Sequence, residues 1–543
     1  MAVADAPVSL GWQLLVVGVL IASALLALRL AGPERRVRSA LRERFYLGVP
    51  WGSLLTLGGV LAVYLFVQRG LWHWNDPLAI PFSAWSYFYP LGVLFSAFAH
   101  VGPGHLLGNL TTALVFAPLA EYVWGHFPER TADHGPLTDP RIRAFVVFPL
   151  GVFGAGIAMS LFTWGPVIGF SGVVFALIGF VLVRYPLLTV VALAARGAVR
   201  TVTDALGNPV NVVEVSASVS PPWWYGIAIQ GHVLGFLVGI LAGVALLRRR
   251  RVATDPLRLW IGTVLTTLSL SLWAVWWIRG PETYVLYRAL GVALVVALAA
   301  LISAALTASE RPLAGSVTRR QAASAALVVP LVVMCLVAVP LNLAVVDSQP
   351  REASMTAGDY TVFYDEEVEN RMFSVVDVEA FGETTAVTTS GVIVTSPDRH
   401  VWGQEVSTAE LETYGDATVR VGGLTWSETV EVERTGWVVG DETVYTVWLE
   451  SDGERTHAFD SEPASADAVV DGRAITIHSE SGTFYVEVED ETGTERAPIP
   501  ARGGERTVGG LSIENDEGTL VASDGRTVVS IAHEETYAPR DDR

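Results

Sequence analysis

The sequence contains no lysine. All 36 basic side chains are arginines, and 55 acidic residues give a formal net charge of −19. An acidic surface without lysine suits a protein that stays soluble in concentrated salt, so we expect a halophile-like source. The alternative is a GC-rich genome combined with an ordinary acidic domain. The single cysteine, Cys335, excludes an intrachain disulfide.

The charges divide the chain into two parts. Residues 1–346 carry 23 Arg and 13 acidic residues, whereas residues 347–543 carry 13 Arg and 42 acidic residues, so the formal charges are +10 and −29. The first part consists of apolar runs long enough for helices that cross about 30 Å of hydrocarbon. The second part alternates valine, threonine and aromatic residues, which is typical of β-strands. We predict an α-helical polytopic membrane protein with a C-terminal soluble β-rich domain.

The apolar runs predict one leading span, six central spans and three trailing spans. The leading span covers about 11–31. The central spans lie near 50–68, 105–123, 144–163, 171–186, 187–203 and 224–247. The trailing spans lie near 256–278, 285–308 and 322–346. Arg196 and Arg200 interrupt the span near 187–203, so its regularity stays open.

The positions of the arginines orient the spans, because positive residues collect on the cytoplasmic side. Arg248 to Arg251 follow the last central span and place its end inside. We therefore expect a multi-pass protein of the cell membrane whose N-terminus and C-terminal domain are both extracytoplasmic. The polar stretch 204–222 is then an external loop. The spans beginning near 105, 171 and 224 all start at the outer face.

Each of these three spans carries unusual residues near its outer end, and polar side chains inside a bilayer indicate function. His105 and Asn109 are four residues apart and lie on one helix face, with His100 just before them. Hydrogen bonding between helices is the structural alternative for these side chains.

A backbone break precedes Ser171, which we predict to lie at a helix N-terminus. Free backbone N–H groups there favour a developing oxyanion. His232 is followed by Gly235 and Gly239 on one helical stripe, and Gly172 begins a matching stripe of small residues after the serine. Two such stripes allow close approach of helices, which would bring His232 within hydrogen-bonding reach of Ser171. Simple packing of glycines around a serine is the alternative.

Together these residues resemble the rhomboid family of intramembrane serine proteases. Three signatures occur in the family's order: His100-x4-His105-x3-Asn109, Gly169-Phe170-Ser171-Gly172 and His232-x2-Gly235-x3-Gly239. The resemblance covers about residues 45–250 and implies a six-helix core. Two features depart from the family pattern: Gly231 replaces the usual alanine before the histidine, and the loop between the first two core spans has no Trp-Arg pair.

The resemblance also implies roles for individual residues. Ser171 would be the catalytic nucleophile and His232 its general base, with His105 and Asn109 binding the oxyanion. His100 and the signature glycines would be structural residues near the site. Glu121 matches a structural glutamate of the family. No metal or cofactor is required, and the expected partners are transmembrane substrates and the lipid bilayer, with no nucleic acid.

The predicted domains follow from these assignments. They are 1–44, an extra span and Arg-rich linker; 45–251, the catalytic core; 252–346, three additional spans; and 347–543, an acidic extracytoplasmic β-sandwich-like domain. The histidines of the last domain have no metal-ligand spacing, and we interpret them as ordinary residues. Two alternative functions remain: a catalytically inactive rhomboid-like receptor or scaffold, and a transporter that uses the polar residues as a pathway.

Overall fold

The computed structural model divides into two compact units, Met1–Ala344 and Val345–Arg543. It describes residues 34–127, 135–207, 228–278, 284–343, 353–370, 388–491 and 493–540, together with residue 224 and separate positions between 14 and 26. The first unit is mainly α-helical and the second is mainly β-strand.

The first unit contains the helices of the predicted membrane part. In chain order they are α1 Glu34–Arg44, α2 Trp51–Val67, α3 Pro90–Phe95, α4 Pro103–Trp124, α5 Pro140–Phe162, α6 Ser171–Arg184, α7 Pro186–Gly207, α8 Ile229–Arg250, α9 Pro256–Ser269, α10 Arg288–Thr307 and α11 Arg319–Asn342. Short 3-10 turns cover Tyr46–Gly48, Ile80–Phe82 and Pro136–Thr138.

Within the described residues, five helices are long and apolar enough to cross a membrane: α4, α5, α8, α10 and α11. Helices α2 and α6 are apolar but shorter. Buried apolar side chains such as Phe116, Ile178 and Phe236 form a shared core between α4, α6 and α8. The prediction of an α-helical multi-pass membrane protein is confirmed.

One trailing span differs from its prediction. The run 256–278 is helical only to Ser269, and Ser271 has a positive φ of 57°. Strand β1, Trp276–Ile278, then pairs antiparallel with β2, Tyr284–Leu286. The length of the apolar run predicts one helix, but its aromatic and β-branched residues favour a strand after the left-handed turn.

Two other predicted spans differ in how much of each the structure describes. The interrupted span near 187–203 is part of one helix, α7, which contains both Arg196 and Arg200. The leading span predicted over 11–31 lies mostly outside the described residues, and so does most of the external loop predicted over 204–222.

A second short hairpin pairs β3, Pro312–Ala314, with β4, Val317–Thr318, just before α11.

The second unit confirms the prediction of a β-rich domain. Its strands are β5 Ser354–Ala357, β6 Tyr360–Glu369, β7 Thr388–Ser396, β8 Val401–Ser407, β9 Asp416–Gly422, β10 Ser427–Val439, β11 Glu442–Ser451, β12 Glu454–Asp460, β13 Ala464–Ser465, β14 Ala474–Glu480, β15 Thr483–Asp490, β16 Gly493–Pro498, β17 Glu505–Val508, β18 Leu511–Asp516, β19 Thr519–Ser523 and β20 Val528–Glu534. Its helix is α12, Thr408–Tyr414.

The described residues of this unit form three antiparallel sheets. Their orders are β5-β6-β7-β8; β12-β11-β10-β20-β19-β18-β17, with β9 also paired to β10; and β13-β14-β15-β16. The alternating burial along β10 and β18 places one face of each strand in a core. Apolar side chains of the second and third sheets, such as Val444, Ile477 and Ile513, share that core.

Candidate active site

Ser171 begins helix α6 after a sharply bent backbone segment. Gly165 and Gly169 have φ angles of +79° and +124°, which favour glycine. The Gly169 N–H donates to the carbonyl of Ser96 at 2.7 Å, and this bond fixes the segment just before the helix. Because the first amides of a helix have no carbonyl partner within it, the backbone N–H groups at Ser171 can serve an external acceptor.

The Ser171 hydroxyl and the His232 imidazole are in hydrogen-bond contact. The distance from Oγ of Ser171 to Nε2 of His232 is 2.9 Å. Phe175, one turn after the serine, stacks on the imidazole with ring centroids 4.2 Å apart and planes 10° from parallel. Within the described part of the chain, His232 forms no ion pair with a carboxylate. The imidazole is therefore held by an aromatic face instead of an acid.

Glycines allow the serine and histidine helices to approach closely. A methyl group on Gly235 would lie 2.0 Å from the carbonyl oxygen of Gly172, and one on Gly239 would lie 1.9 Å from that of Ala176. Such overlaps would force the backbones of α6 and α8 apart. The two small-residue stripes thus meet, and their contact brings Ser171 and His232 together.

The histidines of the first signature lie against the loop before Ser171. A Cβ atom on Gly169 would be 2.5 Å from Cε1 of His105, so this loop position has room only for glycine. The rings of His100 and His105 are 5.0 Å apart, edge to face. The Phe170 N–H donates to Nε2 of His100 at 3.4 Å, a long contact. This cluster therefore borders the backbone that carries the serine.

Asn109 lies one helical turn after His105 on α4 and is only 8% exposed. Among the described residues, its Nδ2 has no hydrogen-bond partner. Buried polar atoms normally find partners, so this exception needs a reason. A donor left open one helical turn from His105, which contacts the loop before Ser171, is suited to bind an oxygen of a ligand.

Gln68 is a site residue that the sequence did not reveal. It is fully buried, and its Nε2 donates to the His100 carbonyl at 2.7 Å while its Oε1 accepts from the His100 N–H at 2.7 Å. Nε2 also donates to the carbonyl of Leu78. The only signal was a polar residue at the end of an apolar run, which does not identify a partner 32 residues away.

Glu121 has the structural position that the resemblance implied. Its carboxylate accepts hydrogen bonds from the N–H groups of Gly52 and Ser53 at 2.9 and 2.7 Å, where the positive end of α2 favours an anion. His126 contacts it at 2.6 Å through Nε2. Because Nδ1 of His126 accepts from the Tyr46 N–H, Nε2 carries the proton and donates to Glu121.

No group of three or more potential metal ligands occurs among the described residues. The side chains at the site offer one hydroxyl, imidazoles and an amide, which are suited to nucleophilic and acid–base chemistry.

Comparison with known proteins identifies the domain that holds this site. Residues 84–249 match the family model of the Rhomboid domain, and all three signatures lie within that range. No curated protein and no solved structure matches the chain. Rhomboid proteins are generally intramembrane serine proteases that act on membrane protein substrates, and inactive members exist. The chain therefore contains a Rhomboid domain, which spans residues 84–249.

Proposed function

We propose that this protein is a serine endopeptidase that cleaves transmembrane helices of other membrane proteins through Ser171 and His232. The observation that carries the proposal is the 2.9 Å contact between Oγ and Nε2 of these residues. That distance lies within the range needed for a histidine to activate a serine.

The reaction would begin with attack of Ser171 Oγ on a substrate carbonyl carbon. His232 accepts the hydroxyl proton at Nε2, which requires that Nδ1 carries the proton of the neutral ring. The protonated imidazole then donates to the leaving amine, and an acyl-enzyme remains. Water activated by His232 hydrolyses this ester and restores Ser171. The stacked Phe175 keeps the imidazole in one orientation through both steps.

The tetrahedral intermediate needs donors for its negative oxygen. We assign this role to the Ser171 backbone N–H at the start of α6 and to the side chains of His105 and Asn109. The unpartnered Nδ2 of Asn109 supports the assignment, because a substrate oxygen would satisfy a donor that is otherwise buried without a partner.

We assign the site to the extracytoplasmic half of the cell membrane. Helices α4, α6 and α8 all carry their site residues at the N-terminal end, whereas Arg184 and Arg248 to Arg250 occupy the opposite ends of α6 and α8. Arginines collect on the cytoplasmic side. Substrates would be helices whose outer ends unwind easily, since a protease requires extended backbone, and glycine- or proline-containing spans meet this requirement.

Co-expression with a reporter that contains a transmembrane helix tests the proposal. Wild type should release a fragment that Ser171→Ala does not. Ser303→Ala is a matched control, because Ser303 is also a buried serine of a membrane helix, where it bonds to the Ala299 carbonyl. Equal cleavage by wild type and Ser171→Ala would refute the proposal.

The main alternative is an inactive receptor that retains both residues, and a transporter is the second. A serine-directed fluorophosphonate separates them from the protease. It should label wild type and Ser303→Ala but leave Ser171→Ala unlabelled. A receptor or transporter would give equal background labelling in all three proteins.

A further inference from the structure

Helix α11 ends at Asn342, which lies outside the residues that match the Rhomboid domain. Asn342 is only 6% exposed. Its Nδ2 donates to the carbonyl of Thr163 at 2.9 Å and makes a longer contact of 3.5 Å with the carbonyl of Leu161. The side chain of an added helix thus bonds to the end of α5, where carbonyls have no partner within the helix.

The backbone of Asn342 holds a second segment. Its carbonyl accepts hydrogen bonds from Oγ of Ser86 at 3.1 Å and from the Tyr87 N–H at 3.0 Å. The Tyr87 hydroxyl in turn donates to the carbonyl of Leu161. One residue therefore joins the segment before α3 to the end of α5.

Both segments border the serine–histidine pair. Ala84 and Val167 exchange backbone hydrogen bonds of 2.9 and 3.3 Å, and Val167 precedes Ser171 by four residues. The methyl group of Thr163 lies 3.2 Å from the position that a Cβ atom would take on Gly231, the residue before His232. A segment bonded to Asn342 therefore contacts the loop that leads to Ser171, and another contacts the residue before His232.

A second bond ties the histidine helix to the same place. Nε2 of Gln230, at the start of α8, donates to the carbonyl of Phe162 at 3.0 Å. Three successive carbonyls, from Leu161 to Thr163, therefore accept side-chain donors from α8, α11 and the segment before α3. Loss of one donor would leave a buried carbonyl unpaired, which shifts the local structure away from its bonded geometry.

We propose that Asn342 is a positioning residue through which the added helix α11 holds Ser171 and His232 in reactive geometry and so sets the rate of acylation. The inference rests on the proposed function. Asn342 itself contacts neither reacting group. Its effect passes through the segments at Ser86 and Thr163.

The test uses the full-length protein in liposomes and three variants. Asn342→Leu has a similar volume but cannot donate to Thr163. Ser86→Ala removes a bond to the Asn342 carbonyl from the other side. Leu343→Ala is the matched control, because this neighbouring side chain is 46% exposed. For each protein we would measure the rate constant and final extent of Ser171 labelling by a fluorophosphonate, with hydrogen exchange over 84–87 and 161–169.

Asn342→Leu should slow labelling about tenfold, the equivalent of one lost buried hydrogen bond, while the final labelled fraction stays at the wild-type value. Exchange should rise within 84–87 and 161–169 only. Ser86→Ala should slow labelling by about threefold, and Leu343→Ala should change it by less than about 1.5-fold.

Two results would overturn the inference. One is a wild-type labelling rate and wild-type exchange in Asn342→Leu. The other is an unchanged rate with a smaller labelled fraction, because Asn342 would then only stabilise the fold. Failure of the proposed function has a different signature, since wild type itself would then be labelled no faster than Ser171→Ala.

Discussion

Two buried polar clusters, one in each unit of this protein, differ in how completely their side chains are hydrogen-bonded. In the membrane unit, Nδ2 of Asn109 has no partner among the described residues, and it lies one helical turn after His105, which contacts the loop before Ser171. In the β unit, a buried cluster is closed on itself. Arg434 is 3% exposed, pairs with Glu535 at 2.7 Å and stacks on the Tyr445 ring at 3.7 Å.

The other polar side chains of the β cluster are also hydrogen-bonded. The hydroxyls of Tyr364 and Tyr445 lie 3.1 Å apart, and both donate to Glu366. Burial raises the pKa of both tyrosines, so they remain neutral donors. The Tyr537 hydroxyl donates to Glu535 at 2.7 Å. A closed network of this kind specifies a fold, whereas an open donor is available to a ligand.

Removal of His232, the proposed general base, should have the largest effect. His232→Ala should reduce reporter cleavage by about 10⁴-fold or more, because the Ser171 hydroxyl then has no group to accept its proton. Cleavage is measured by reporter fragment release. His478→Ala in the β unit is the control and should retain full activity. Residual cleavage within about tenfold of wild type would remove His232 from the mechanism.

Opening the closed network should affect stability instead of activity. Arg434→Met should destabilise the β unit by about 3–5 kcal/mol, since Glu535 becomes a buried charge without its partner. The double variant Arg434→Met/Glu535→Leu should recover most of this loss. Pulse proteolysis of the full-length protein in urea measures the change. If Arg434→Met lowers the free energy of unfolding by less than about 1 kcal/mol, Arg434 and Glu535 do not form a stabilising buried ion pair.

Asn109→Leu should separate activity from stability in the membrane unit. We expect cleavage to fall about 10²- to 10³-fold, as for loss of one oxyanion donor. The unfolding temperature should not fall, because the change removes a buried amide that has no partner for Nδ2. A loss of stability equal to that of Arg434→Met would mean that the Asn109 side chain forms hydrogen bonds that stabilise the fold.

Asp460 should give the smallest effect. Burial raises the pKa of this partly exposed carboxyl. Hydrogen bonds from Ser479 and His457 together lower the pKa by more than burial raises it, so the net shift is downward. A depressed folded-state pKa contributes stability above the unfolded value, and this stability is lost as pH falls through the folded value. Asp460→Asn should therefore destabilise the β unit by less than about 1 kcal/mol at neutral pH.

The control is to measure the stability of wild type and of Asp460→Asn over a range of pH. The difference between wild type and Asp460→Asn should shrink as pH falls below the ordinary aspartate range. A difference in urea midpoint that stays constant at low pH would mean that the shape of the side chain matters and its charge does not.

The contact between Ser171 and His232 could be predicted from the sequence, but several residues that position them could not. Gly235 and Gly239 alone indicated a stripe that meets the serine helix, because helical periodicity is a local property. Gln68 and Asn342 were not predicted, since their partners lie 32 and 179 residues away. The hairpin at Trp276 was not predicted, because hydrophobicity alone does not distinguish a short apolar strand from a helix.

The β unit follows the same rule. Its strands could be predicted from alternation and turn signals, but their neighbours could not. Strand β10 pairs with β11 through a tight turn and also with β20, where Trp437 faces Glu534. The partner of Arg434 across that junction is Glu535, 101 residues later. Composition gave no indication of this pairing.

The brevity of α6 has a consequence for the surrounding lipid. Its 14 residues rise about 21 Å, roughly 9 Å less than the hydrocarbon thickness, whereas α11 has 24 residues. At this length, α6 alone would not cross the hydrocarbon. Its side chains are nearly all buried by protein, so the missing length falls inside the helical bundle, next to Ser171. Under the proposed function, this gap would give water a route to the serine.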